Sequence, residues 1–507
     1  MGGNTVNEQN NEKSYEVKLK QYLSDMLVYK SSANSKFFSA LSIPSFMRDW
    51  LVMRFSDENG YIDKNEVSEY VKRVIPNRTQ WNEIQMNLIH NGQSARFLTK
   101  VKIDFDMKTR SALFSLPAFG VPKYKGDAIV DWDVIEQHKN YLLSPNEVWG
   151  IVEIVCEDIS EKHGFFKKKS DSEDNVYRMI DFNPFCPYTI DIEDYKLARE
   201  HFTPEEWIDV LISAVDYNPA GYVSMTQKLT MLSRLLPFVE KRLNLIELAP
   251  KETGKSYVFA QLSKYGWLVS GGSISRAKMF YDIGKRTPGL VSRYDYVAFD
   301  EIQSIKFTDA MEMQGALKGY LESGEYRVGD NRGVGDAGLV LLGNIDSGLM
   351  NENENMFVDL PEIFHESALL DRFHGFIKGW NIPKMRENLK ANGWALNTEY
   401  FGEIMHMLRE EIVYRAVVDE LLQLPKNAAT RDTEAIKRIC TAYLKLIFPN
   451  AIDASKIKIG DFERYCLEPA KEMRRVIKNQ LAINDVGEFG GMTIPDIQVK
   501  ESYRAKE

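Results

Sequence analysis

Five short apolar runs punctuate the second half of the chain: Asn244–Leu248, Trp267–Ser270, Tyr294–Phe299, Gly338–Leu342 and Gly375–Lys378. Each is apolar nearly throughout, and helical or looped segments separate them. Strands buried on both faces read this way, so the pattern predicts a parallel sheet in an α/β domain. From about Phe401 to Phe448 the apolar spacing is helical and suggests a lid-like bundle. The first half reads differently. Val67–Ile75 and Thr79–Ile89 are predicted helices, broken at Pro76-Asn77. Phe97–Phe105 alternates at period two, turns at Met107-Lys108-Thr109 and returns over Ser111–Leu116, which predicts a β-hairpin with a basic strand and tip. Val148–Ile159 and Val176–Phe182 are strand-like, and Thr203-Pro204-Glu205-Glu206 is a helix start with Thr as N-cap and Pro at the first helical position.

These elements predict six segments. Residues 1–14 form a polar, disordered tail. Residues 15–125 form an α+β unit, winged-helix-like or simply generic. Residues 126–200 are β-rich and suit a small barrel of the OB type. Residues 201–400 carry the nucleotide core, 401–484 the helical lid, and 485–507 a Gly-rich then charged tail.

At 507 residues about three domains are expected. With 44% hydrophobic and 27% charged residues the composition is that of a soluble globular protein. No apolar run approaches the ~18 residues that a membrane span needs. The polar N-terminus is no signal peptide, and four cysteines without C-x-x-C spacing fit reduced thiols, so a cytoplasmic protein is expected. A net charge of −9 excludes a uniformly basic nucleic-acid surface; DNA contact must come from local basic clusters.

The candidate chemistry begins where the first apolar run ends. Ala249-Pro250-Lys251-Glu252-Thr253-Gly254-Lys255-Ser256 leads into a helix-forming stretch. Strand, turn and Gly-Lys-Ser form a phosphate loop: backbone N–H groups at the helix start bind anionic phosphate, Lys255 reaches the outer phosphates of ATP, and the Ser256 hydroxyl holds Mg²⁺. Thr253 and Gly254 complete the cradle. About 45 residues on, an apolar strand ends in Asp300-Glu301. A carboxylate at that tip can hold the Mg²⁺ shell and its neighbour can polarise the attacking water. Asn344, after the next strand, is the candidate water-positioning residue (the sensor-1 position of AAA+ ATPases). Arg372, just before the last strand, is the candidate arginine finger, reaching the nucleotide of a neighbouring subunit. Arg431, at the start of a lid helix, is the candidate second sensor, with Arg438 two turns later as fallback.

Candidate DNA contacts are local. Phe165-Phe166-Lys167-Lys168-Lys169 puts aromatic and basic residues at a predicted hairpin tip. Arg276, Lys278, Lys285 and Arg286 make an insert basic, and Arg327 and Arg332 flank Gly-rich turns that suggest a hairpin pointing into a ring channel. All of these also fit ordinary solvated loops.

Taken together, Leu245–Ser256, Val297–Glu301, Gly343-Asn344-Ile345, Asp371-Arg372, Gly379–Lys384 and Arg431-Asp432 resemble the BrxL family, the Lon-related AAA+ proteins of BREX bacteriophage-exclusion systems. The resemblance covers about residues 15–450. It implies an ATPase core similar to MCM helicases, assembling as homo-hexamers that can stack in pairs, encircle double-stranded DNA and act with other BREX proteins. Two departures stand out. Ala249 and Glu252 occupy positions where the family's loop usually has glycine. About 55 residues follow the span that the resemblance covers, too few for the Lon-protease-like domain of long members, so proteolysis is not expected. A protein-remodelling ATPase serving a separate protease, and a nucleotide-gated DNA scaffold with little hydrolysis, remain as alternatives.

Overall fold

A computed structural model describes residues 13–504 except 42, 58–59, 123, 125, 144–146, 159–174, 186–189 and 285. The chain is a mixed α/β protein of two compact units, one made of residues 1–54 and 190–507, the other of residues 55–189.

In the smaller unit, Asp63 caps the helix Lys64–Val74 by accepting from the Asn65 and Glu66 N–H groups. A capping box between Asn77 and Gln80 starts the helix Arg78–His90. The predicted hairpin forms as Ala95–Asp106 paired with Ser111–Ser115. It does not stand alone. Its first strand also pairs with Val148–Asp158, and its second with Ala128–Val130. Ala128–Val130 lies parallel to Asn175–Pro184, which returns antiparallel to Val148–Asp158 and closes a five-stranded barrel. Trp81, Phe97, Val101, Phe114, Val152 and Phe182 fill its interior. Gly150 is needed there, because a Cβ would stand 2.2 Å from the Phe182 ring. The expected winged-helix-like unit ending at 125 is therefore corrected. The hairpin's outer hydrogen-bonding groups are satisfied by strands from beyond that boundary, as closure demands.

The larger unit carries the five parallel strands in the order Gly375–Lys378, Leu245–Ala249, Gly338–Asn344, Tyr296–Asp300, Gly266–Ser270. Their positions match the apolar runs to within two residues. The helix Pro204–Ala214 starts at Thr203 with a capping box to Glu206, as its sequence predicts. Residues 13–54 belong to this unit, not to an N-terminal domain. Leu27–Lys30 pairs antiparallel with Gly393–Leu396. The buried Lys30 ammonium donates to the Ala214 carbonyl at 2.6 Å and pairs with Asp216 at 2.9 Å. Where a helical lid was expected, the chain holds the helices Thr398–Glu410, Val413–Leu421, Thr430–Ile447 and Glu468–Asn484, and Val476, Ile477 and Leu481 of the last join the core of the sheet. The expected C-terminal tail is ordered as far as it is described: Gln498–Val499 pairs with Leu422–Gln423, and Ile497 and Val499 are buried.

Candidate active site

The strand Leu245–Ala249 ends in a loop, and the helix Lys255–Gln261 starts directly after it. Glu252 and Gly254 both adopt the left-handed region, at φ +70° and +76°. Gly254 is required twice over, because a Cβ there would also stand 2.2 Å from the Tyr217 hydroxyl. Three successive loop carbonyls are tied from outside. Glu252 C=O accepts from the Met385 N–H at 2.6 Å. Thr253 C=O accepts from the Arg234 guanidinium at 2.9 Å, and Gly254 C=O from the Tyr217 hydroxyl at 3.3 Å. In a trans peptide the next N–H points opposite to its carbonyl. Each tie thus orients one of the N–H groups of Thr253, Gly254 and Lys255, which an anion at the helix start would use.

Ala249, standing where a glycine was expected, is accommodated by a neighbour. A Cβ on Gly379 would lie 2.2 Å from the Ala249 Cβ, so the glycine that makes room is Gly379. The Lys255 ammonium donates to Asn344 Oδ1 at 2.8 Å. Burial pulls its pKa down, while Glu247, Asp300 and Glu301 act through space to raise it. Asn344 lies opposite Ala249 in strand register, and its carbonyl accepts from Gln303 at 2.7 Å. Asp300 ends its strand nearly buried, and its carboxylate accepts the Glu301 N–H at 3.0 Å. Glu301 is exposed and left-handed at φ +51°. Loop, Lys255, Asp300 and Asn344 converge at one end of the sheet. Ser256, at the helix start, and Asp300 are the oxygen donors that suit a divalent ion, which would take its other ligands from phosphate and water. Among the described residues no group of three or more His, Cys, Asp or Glu side chains forms a metal cluster.

Arg372 and Arg431 are elsewhere. Gly375 pairs with Leu245, the first residue of the loop strand. Asp371 and Arg372 precede it, so they lie at the opposite end of the sheet, roughly 13 Å of strand away from the loop. Arg431 Nη1 donates to Asp371 at 2.7 Å, which fixes it at that same end. Glu322 pairs with both Arg372 (2.8 Å) and Arg431 (3.1 Å). Neither arginine lies at the loop. Arg438 donates to the Lys241 carbonyl at 2.6 Å.

The candidate DNA residues divide. Lys167, Lys168, Lys169 and Lys285 lie outside the described residues. Arg276 is ion-paired with Glu312, and Lys278 is exposed on the same short helix. Arg327 and Arg332 are exposed and directly opposite each other on the hairpin Glu325–Val328/Asn331–Val334. A second hairpin, Tyr281–Asp282 with Thr287–Pro288, brings its exposed Ile283 to 3.1 Å from where a Cβ on Gly329 would stand. The two turns meet.

A family model described as "Lon-like protease BrxL-like, ATPase domain" matches residues 177–494. The chain belongs to the BrxL family. A second model, "BREX system Lon protease-like protein BrxL N-terminal", matches residues 21–155. Over 463 residues the chain is 29% identical to the Lon-like protease BrxL of Escherichia coli O9:H4 (strain HS), covering 90% of this chain and 62% of that protein. Over 311 residues it is 34% identical to the Lon-like protease BrxL of Bacillus cereus (strain H3081.97), covering 61% and 44%. The matches thus span less than two thirds of these relatives' length. Among the described residues no helix is long and apolar enough to cross a membrane.

Sequence reasoning missed Arg234 and Tyr217, and it quoted Gly379 in a family motif without foreseeing its contact with Ala249; all three shape this BrxL-family loop from other segments. One signal was present. Glu247 interrupts an otherwise apolar strand, and a charge in a strand buried on both faces requires a buried partner.

Proposed function

We propose that this BrxL-family chain is an ATP-hydrolysing, DNA-engaging AAA+ ring protein of a BREX bacteriophage-defence system, with an MCM-like core. The observation that carries the reading is the separation of the two halves of the chemistry. Lys255, Asp300 and Asn344 gather at one end of the sheet, while Arg372 and Arg431 sit at the other. Two copies placed head to tail would bring the arginines of one to the phosphates of the next, and closed repetition of that contact makes a ring. The strand order, with the Asn344 strand between the loop strand and the acid strand, supports an AAA+ core.

In this reading Lys255, Thr253, Gly254 and Ser256 hold the phosphates of ATP. Ser256 and Asp300 would hold Mg²⁺, whose charge would offset that of the phosphates. Glu301 takes a proton from the attacking water, Asn344 orients that water, and the neighbour's Arg372 and Arg431 stabilise charge on the outer phosphate. Lys255 must leave Asn344 to do this.

DNA is the proposed polymer because both candidate channel hairpins carry cations. Arg327 and Arg332 face each other, a like-charge pairing that costs stability in a two-stranded ribbon and is relieved by a bound anion. The closed five-stranded barrel with one parallel pair supports the OB-type reading, and OB barrels commonly bind nucleic acid. A protein-remodelling role would call for aromatic, apolar turns instead. The scaffold reading, with binding and little turnover, is favoured by Glu252, whose side chain and left-handed backbone stiffen a loop that usually has glycine there.

Subunit mixing tests the arrangement. Arg372→Ala and Glu301→Gln should each lower ATP turnover at least about 100-fold. Mixed together they should regain part of it, since a Glu301→Gln copy still offers its arginine to an intact loop. No recovery on mixing would remove the shared site.

A further inference from the structure

Behind the phosphate loop lies an ion pair that the reaction does not use. Arg234 and Glu247 are both fully buried, at 0% exposure. Arg234 follows the helix Met225–Ser233, and Glu247 is the middle residue of the loop strand. The contact is bidentate: Nη2 lies 2.5 Å from Oε1, and Nε lies 3.0 Å from Oε2. The remaining donor, Nη1, reaches forward to the Thr253 carbonyl at 2.9 Å, with Nη2 3.4 Å from the Thr253 hydroxyl. Burying two such charges costs several kcal/mol per ion before their attraction is counted, and apolar residues of similar size often hold a core equally well. Holding strand and helix together therefore does not account for this pair.

Its contact with the loop does. A carbonyl held on the Arg234 side forces the Gly254 N–H to the opposite side. A glycine in the left-handed region would otherwise be free to turn that peptide over. We propose that Arg234 and Glu247 are positioning residues for the polyphosphate of the nucleotide: Glu247 aims the guanidinium, and the guanidinium locks the Thr253–Gly254 peptide plane with its N–H toward the phosphates. This rests on the ATP-binding reading above and extends it to two residues that touch no substrate.

The test compares the full chain with Arg234→Met/Glu247→Leu, Arg234→Lys and Lys255→Ala. Melting, ATP·Mg²⁺ titration and steady-state hydrolysis are recorded for each. The double variant removes both buried charges, so its melting midpoint should stay near that of the parent. Its ATP dissociation constant and KM should rise at least about tenfold, with a smaller change in kcat. A purely structural pair would lower the active fraction, and hence kcat, and leave KM alone. Binding within about twofold of the parent overturns the proposal. If the double variant does not fold, Arg234→Lys decides on the same thresholds, because lysine keeps the charge on Glu247 but cannot also span to Thr253. If Lys255→Ala binds ATP as the parent does, the ATP-site reading itself fails and this inference falls with it. If Lys255→Ala loses binding while the double variant does not, only this inference is lost.

Discussion

At the scale of single residues, the loop that starts at Ala249 takes a side chain where glycine was expected because a neighbour makes room. Ala249 fits because Gly379 has no side chain. Adding one there should cost about 1–3 kcal/mol of stability by overpacking. Gly379→Ala should therefore melt lower than the parent, and Ala249→Gly in the same chain should recover part of the loss. Additive effects in the double variant would contradict the compensation. Glu252 is a different case. It is exposed and holds φ +70° as a non-glycine residue, a conformation that costs on the order of 1 kcal/mol. Glu252→Gly should leave the melting midpoint level or raised and should not weaken ATP binding; a drop in both would show that the side chain is needed. That Lys255, Asp300 and Asn344 come together was legible because they lie in short motifs at the ends of adjacent strands. The contacts of Arg234, Tyr217 and Gly379 were not, because each reaches the loop from another segment and only folding brings them together.

At the scale of elements, the five core strands were readable because strands buried on both faces must be apolar throughout and short. The barrel was only half readable. Its alternating hairpin is a local signal, but pairing with Val148–Asp158 and Ala128–Val130 is a matter of long-range register that no window of sequence contains. Residues 15–54 were read as part of the N-terminal unit, and a similar reason places them with the larger one: the strand Leu27–Lys30 finds its partner at Gly393–Leu396. The C-terminal stretch was read as a tail because it is Gly-rich and then charged, yet Ile497 and Val499 within it are buried.

One element contact has a pH signature. Lys378, at the end of the last core strand, pairs with Glu472 at 2.5 Å and also with Glu352. Burial pushes the Glu472 carboxyl up, but hydrogen bonds from Arg475 and Lys378 prevail and bring it down to about 2. Glu352 shifts down for the same reasons. A carboxyl depressed in the folded state adds stability above its unfolded pKa of 4.5 and loses it as pH falls toward 2. The melting midpoint should thus drop as pH is lowered through this window, and Lys378→Met should flatten the drop. An unchanged slope in that variant would leave the acid sensitivity to other groups.

At the scale of the whole molecule, Arg372 and Arg431 stand at the end of the sheet opposite the loop. In the proposed arrangement the chemistry would be complete only between copies. The hairpin that carries Arg327 and Arg332 grows from the helix Ala310–Ser323, whose Glu322 holds Arg372 and Arg431. Under the proposed function, a polymer held at the hairpin would be connected through this helix to the arginines offered to a neighbouring copy. Hydrolysis should depend on protein concentration, falling steeply on dilution as copies separate.

The most direct measurement is ATP turnover with and without double-stranded DNA, at low and moderate salt, with Glu301→Gln as the blank. The account predicts turnover that DNA stimulates, that weakens as salt rises, and that is absent from the variant. Turnover indifferent to DNA, or undiminished in Glu301→Gln, would contradict it.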